Sequence, residues 1–154
     1  MNTGLVVVDD TDRHRSLLET AGELAAGADA ELVLLPMTTT DEVDAEREAI
    51  GQVSDAHVAA YGTDTIENRL FYNTGQVARE ALETVEGEVD FTVVPKIVDA
   101  NTEATAILDA AEEHGCDHIF LVGRKRSRTG KALFGSLAQT IMLTFDGQVT
   151  VELE

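Results

Sequence analysis

Five of the chain's eleven lysines and arginines fall within eight residues: Arg124, Lys125, Arg126, Arg128 and Lys131. The chain as a whole carries a formal net charge of −18. A basic cluster against that background needs a reason. It lies in Gly123-Arg-Lys-Arg-Ser-Arg-Thr-Gly130-Lys-Ala-Leu-Phe-Gly135-Ser136, directly after the apolar run Ile-Phe-Leu-Val at 119–122. A strand, a glycine-rich basic loop and a helix start, in that order, are how α/β proteins build anion sites. Glycines let the backbone come close to a phosphate, and the amides of a helix N-terminus point at it. A second group with chemical potential is Asp9-Asp10, which follows another apolar run near the start of the chain. An acid there can bind a ribose hydroxyl, a base amine or a metal.

For these groups to meet, the chain must place them at one edge of a sheet. Residues 4–8 (Gly-Leu-Val-Val-Val) predict a strand buried on both faces. Asp9-Asp10-Thr11-Asp12 supplies helix caps, and Leu17, Leu18, Ala21, Leu24 and Ala25 recur at helical spacing until Gly27. A second apolar strand runs to Met37, completing a βαβ unit with a right-handed crossover. Residues 38–73 are the least readable part: a loop running into a cap, a helix over 43–60, then loop or a short element. Asn73 or Thr74 caps a clearer helix bearing Val77, Ala81, Leu82 and Val85, and a third strand over 89–94 stops at Pro95. The spacing predicts a helix at about 102–114 and a fourth strand over 118–122. A last helix opens at Gly135-Ser136, and Val149, Val151 and Leu153 alternate in a fifth strand. This alternation means a parallel sheet with helices on both faces, in a single domain over residues 1–154. If the first and fourth strands are neighbours, Asp9, Asp10 and the basic loop line one crevice, a nucleotide site.

Composition narrows the partners. With 29 acidic residues against 11 basic ones, most of the surface repels nucleic acid and anionic membrane. The acids are dispersed along the chain, which suits a salt-rich cytoplasm. No apolar run approaches the length of a membrane span, and the start lacks the basic region of a secretory signal. A lone cysteine, Cys116, fits a reducing cytoplasm and reads as a small packed residue. His14, His57, His114 and His118 show no metal-ligand spacing and read as surface or core residues.

The chain resembles the universal stress protein family over essentially its whole length. The resemblance rests on Val8-Asp9-Asp10-Thr11 closing the first strand and on the fourth-strand loop. Gly123 matches the first glycine of the family pattern G-x2-G-x9-G-[S/T], and Gly135-Ser136 match its closing pair. Residues 112–118 also look like the family's helix-to-strand junction. The resemblance implies an adenine nucleotide alpha hydrolase-like fold, a five-stranded parallel sheet in order 3-2-1-4-5. It implies ATP or a related nucleotide, with Mg2+, between Asp9 and the loop at 123–136. It also implies a homodimer through the last strand and action by binding, with at most slow ATP hydrolysis. The acid surplus suggests an archaeal, halophile-like member. Arg126 replaces the second glycine of the pattern, and eight residues, not nine, precede Gly135. Arg126 disfavours positive φ, yet its guanidinium can reach a phosphate bidentately. The candidate nucleotide-binding set is Asp9, Asp10, Gly123, Arg124, Arg126, Gly130, Gly135 and Ser136, for a nucleotide such as ATP or AMP or another small phosphorylated metabolite bound in a stress response.

Plainer readings stand beside this one. The loop's cations can be solvated and paired with nearby acids. Ser136 with Gln139 forms an S-x-x-Q capping box, and Asp10 and Asp12 can cap the first helix. A nucleotide-free dimeric interaction module on the same fold is the main alternative function. A phospho-acceptor receiver domain also opens with a strand and two acids, but its third strand must end in an acid. Here that strand ends in Val94-Pro95-Lys96. An ATP-pyrophosphatase or adenylating ligase needs a Ser-Gly-Gly loop where this chain has Asp-Asp-Thr.

Overall fold

The computed structural model describes residues 1–8, 12–51, 63–123 and 136–153. Strand β1 (Thr3–Val8) leads to helix α1 (Asp12–Ala28), β2 (Glu31–Thr39) and α2 (Thr40–Gly51). Then come α3 (Thr63–Leu82), β3 (Phe91–Val93), β4 (Lys96–Val98) and a 3-10 turn at Ala100–Thr102. Helix α4 (Glu103–Glu113), β5 (His118–Gly123), α5 (Ser136–Thr144) and β6 (Gln148–Leu153) complete it.

The sheet is parallel in the order β3-β2-β1-β5-β6, the path that the family resemblance implies, with β4 added beside β2. The apolar runs explain the centre: Leu5 and Val6 of β1, Leu34 and Leu35 of β2, and Ile119 and Phe120 of β5 are wholly buried. Two cores follow from strand alternation. One face packs Val6, Leu34 and Phe120 against Leu17, Leu18 and Ala21 of α1 and Ala78 and Ala81 of α3. The other packs Leu5, Leu35 and Ile119 against Ile107 and Ala111 of α4 and Ala138 and Ile141 of α5.

The single third strand expected over 89–94 is instead two short strands, and the sheet counts six. Leu34 pairs with Val93 and Met37 with Lys96, a constant offset that sets Pro36 opposite Pro95. These are the chain's only two prolines. Val94 N donates to Leu34 O, so the next rung of this parallel ladder would need an N–H from Pro36, which has none; pairing resumes at Met37 and Lys96.

Three further expectations are corrected. Residues 63–82 form one helix, where a break, a short element and a cap at Asn73 or Thr74 were predicted. Thr74 lies in mid-helix and only 6% of it is exposed. Ile66, Thr74, Ala78 and Ala81 share the buried face, and a threonine in that stripe hid its continuity. Helix α1 runs past Gly27 to Ala28 and is followed by Asp29 with φ of 53°. A short polar side chain takes the left-handed position there. Leu24, placed in the core by its spacing, is 46% exposed. Gly115, with φ of 64°, follows α4 as the sequence suggests.

The amino edge of the sheet is held by Asp117. Its carboxylate accepts the amides of Asn2 (3.0 Å) and Thr3 (3.3 Å). Its own backbone donates to Thr3 O and accepts from Gln148 N. Burial opposes ionisation of Asp117, but these amides, with the N-terminal ammonium, hold its pKa below the ordinary carboxylate value. Among the described residues no helix is long and apolar enough to cross a membrane.

Candidate functional site

The carboxyl ends of β1, β2, β4 and β5 open into a cleft of about 710 Å3. Its floor is the ends of the central strands: Val7 and Val8, Met37 and Thr38, and Leu121 to Gly123. One wall is the start of α5, with Ser136 and Thr140, and the other is the 3-10 turn and start of α4, with Asn101 and Glu103. His14 of α1 closes the rim. An open parallel sheet takes its ligands at this edge, where the crossovers diverge to opposite faces.

Local chemistry fixes each wall. Helix α2 begins with a reciprocal capping box: Thr39 N donates to Glu42 Oε2 at 3.2 Å, and Glu42 N donates to Thr39 Oγ1 at 3.2 Å. Thr38 Oγ1 donates to the same carboxylate oxygen at 2.6 Å. Thr40 Oγ1 reaches Asp99 Oδ1 at 3.1 Å and ties this corner to the end of β4. Asp99 O accepts both the amide and the hydroxyl of Thr102, which shapes the turn. Thr140 Oγ1 donates to Ser136 O at 2.8 Å within the first turn of α5.

Of the eight candidate residues, the structure places Gly123 and Ser136 together in this cleft. Asp9, Asp10, Arg124, Arg126, Gly130 and Gly135 lie outside the described residues. Gly123 has a packing reason to be glycine: a Cβ there would sit 2.6 Å from Val151 Cγ1. That contact brings β6 close to the strand end where the basic loop departs.

Thr38, Thr39, Glu42, Asn101, Glu103 and His14 were missed as lining residues. For Thr39 and Glu42 a signal existed, T-x-x-E at the end of an apolar strand. For the others no local motif marks the position. Among the described residues that line the cleft there is no lysine or arginine, while Glu42 and Glu103 are acidic. The described wall therefore offers amides, hydroxyls, two carboxylates and the imidazole of His14, and no lysine or arginine. Among the described residues no group of three His, Cys, Asp or Glu is placed to hold a metal ion.

The family model of the universal stress proteins matches residues 1–151. The chain belongs to the universal stress protein family. Solved structures agree with that assignment. A universal stress protein in complex with cAMP aligns with a TM-score of 0.62 at 18% identity, over 99% of this chain and 96% of that one. A universal stress protein from Archaeoglobus fulgidus gives 0.56 at 21% identity, over 98% of each chain. Another from the same organism, in complex with dAMP, gives 0.54 at 16% identity, over 98% of this chain and 97% of that one. No curated protein matches the sequence significantly. At these identities the structural likeness establishes the fold. Among its described residues this family member has two titratable core groups away from the cleft, Cys116 and His118. Cys116 is buried and its thiol is pushed up to about 11, by burial first and by Asp117 second. His118, 7% exposed, is held below its ordinary pKa of 6.5, by burial first.

Proposed function

We propose that this chain is a nucleotide-binding protein of the stress response, acting by binding and not by turnover. The observation that carries the reading is the cleft itself. It is bounded by Gly123 and Ser136, the two ends of a segment that holds five of the chain's eleven basic residues. A phosphate entering it meets the amides at the start of α5, and the described walls leave its countercharge to that segment. Arg124 and Arg126 supply the guanidinium groups, with the backbone of Gly130, Gly135 and Ser136. Asp9, with Asp10 beside it, faces the ribose, the base or a bridging Mg2+. Relatives of this fold solved with cAMP and dAMP support an adenine nucleotide such as ATP or AMP. The 154 residues act as one unit, a homodimer through β6, in a salt-rich cytoplasm.

Titration with ATP, ADP, AMP, cAMP and a cyclic dinucleotide in high-salt buffer, with and without Mg2+, tests the reading. Heat and a raised melting temperature with at least one of them are expected. Both should vanish in the double variant Arg124→Glu/Arg126→Glu while its fold persists. No response from any nucleotide would leave the dimeric interaction module as the function.

A further inference from the structure

We propose that Gly123 serves the cleft indirectly, as a positioning residue: the space left by its missing side chain is filled by Val151 of β6, and this contact sets where the basic segment leaves the sheet. The inference rests on the nucleotide reading of the cleft and concerns how that site is held. A glycine beside a phosphate site is ordinarily there so that the ligand can come close. Here the edge strand takes that space instead.

Within the protein, a position requires glycine for its backbone angle or for lack of space. Among the described residues Gly87 and Gly115 are the glycines with positive φ, and Gly123 is not one of them. Space is therefore what selects it. A Cβ at 123 would sit 2.6 Å from Val151 Cγ1, about 1 Å inside the usual carbon–carbon separation of about 3.5–4.0 Å. Leu153 Cδ2 at 3.6 Å and Ala138 Cβ at 3.7 Å would be ordinary contacts, so of the three it is Val151 that excludes a side chain. A β-branched residue is stiff at χ1, and Val151 packs against the core that holds Ala138 and Ile141, so it does not swing aside. The strand register carries this contact to the site. Strand β1 pairs with β5 at Gly4–His118, Leu5–Ile119 and Val6–Phe120. Leu121, Val122 and Gly123 pair instead with Val151, Glu152 and Leu153. Among the described residues the last three residues of β5 thus have β6 as their strand partner, and all three line the cleft. A Cβ at 123 would press β5 and β6 apart at that end, and the shift would fall on the residue from which the basic segment departs.

A mutant cycle of wild type, Gly123→Ala, Val151→Ala and the double variant tests this. Each is titrated by calorimetry with ATP and with AMP well below its melting range. With Val151 in place, Gly123→Ala should weaken binding at least about tenfold; in the Val151→Ala background the same change should weaken it less than about twofold. If ligand approach is what needs the glycine, Gly123→Ala is equally harmful in both backgrounds, and that result overturns the proposal while the nucleotide reading stands. An unchanged affinity beside a lowered melting point in Gly123→Ala reduces the contact to packing and overturns it too. If Gly123→Ala does not fold, a double variant that folds and binds upholds the proposal, and one that does not fold overturns it. No binding of either nucleotide by wild type overturns the nucleotide reading, and this proposal with it.

Discussion

Replacing Thr150 by Val should destabilise the fold through a residue it does not touch covalently, His118. The His118 ring is 7% exposed and stacks on Phe120 with centroids 4.1 Å apart. Its Nε2 lies 2.7 Å from Thr150 Oγ1, across the β5–β6 pair. Valine keeps the shape and removes that partner, leaving a buried ring nitrogen unsatisfied. The cost of such a group is about 1–3 kcal/mol, so about 2 kcal/mol is expected. For a chain of this size that corresponds to roughly 4–8 °C in Tm. The double variant His118→Leu/Thr150→Val removes both polar partners and should recover most of the loss, since paired deletion is nearly neutral. The pH dependence has a defined sign. Burial lowers the folded-state pKa of His118, the N-terminal ammonium adds to this, and Asp117 opposes it. Between that value and the ordinary 6.5 the unfolded chain binds the extra proton, so stability is full above 6.5 and falls as pH drops below it. Thermal melts from pH 8 to pH 5 read both effects. If single and double variants melt together, or if the double variant keeps the full acid-side loss, the buried hydrogen bond is not what holds this corner.

Other expectations follow from the same geometry. Thr39→Ala breaks the capping box at the start of α2 and should lower stability by about 1 kcal/mol in urea unfolding; an unchanged midpoint would mean that Glu42 caps alone. Cys116, with its thiol pushed up to about 11, should react with a thiol reagent at pH 8 at least about a hundredfold more slowly in native protein than after denaturation, and comparable rates would contradict its burial. Val151→Pro places a residue without an N–H in the middle of β6, whose outer edge has no partner among the described residues. Light scattering should then read a monomer where wild type at high salt reads a dimer, and a dimeric variant would refute pairing through this strand.

The sheet was legible because its central strands are buried on both faces and so read as unbroken apolar runs, as at 4–8 and 119–122. Helix α3 was not, because Thr74 occupies a buried position and mimics a cap to a reader of local pattern. The split of the third strand depends on Pro36 meeting Pro95, two residues 59 positions apart, a fact of register that no local window contains. Of the site, Gly123 and Ser136 could be read from a strand–loop–helix pattern. The far wall at Asn101 and Glu103 could not, because only the crossover of the sheet brings it opposite α5.

Strand β1 is synthesised before the other strands of the sheet and ends in its middle. Its pairing with β2 closes within one short crossover, Thr3 opposite Glu31 and Val8 opposite Pro36. Its other edge, which will hold Gly4 against His118 and Val6 against Phe120, has to wait until more than a hundred further residues are translated. Through that interval the nascent chain presents the unpaired backbone of its most apolar strand, and loop-closure entropy delays the remedy. The Asp117 carboxylate that finally clasps Asn2 and Thr3 arrives with the same segment. Vectorial synthesis thus makes the arrival of residues 117–123 the step that commits the nascent chain to its native sheet, and a ribosome stalled just before it should yield a chain prone to aggregate.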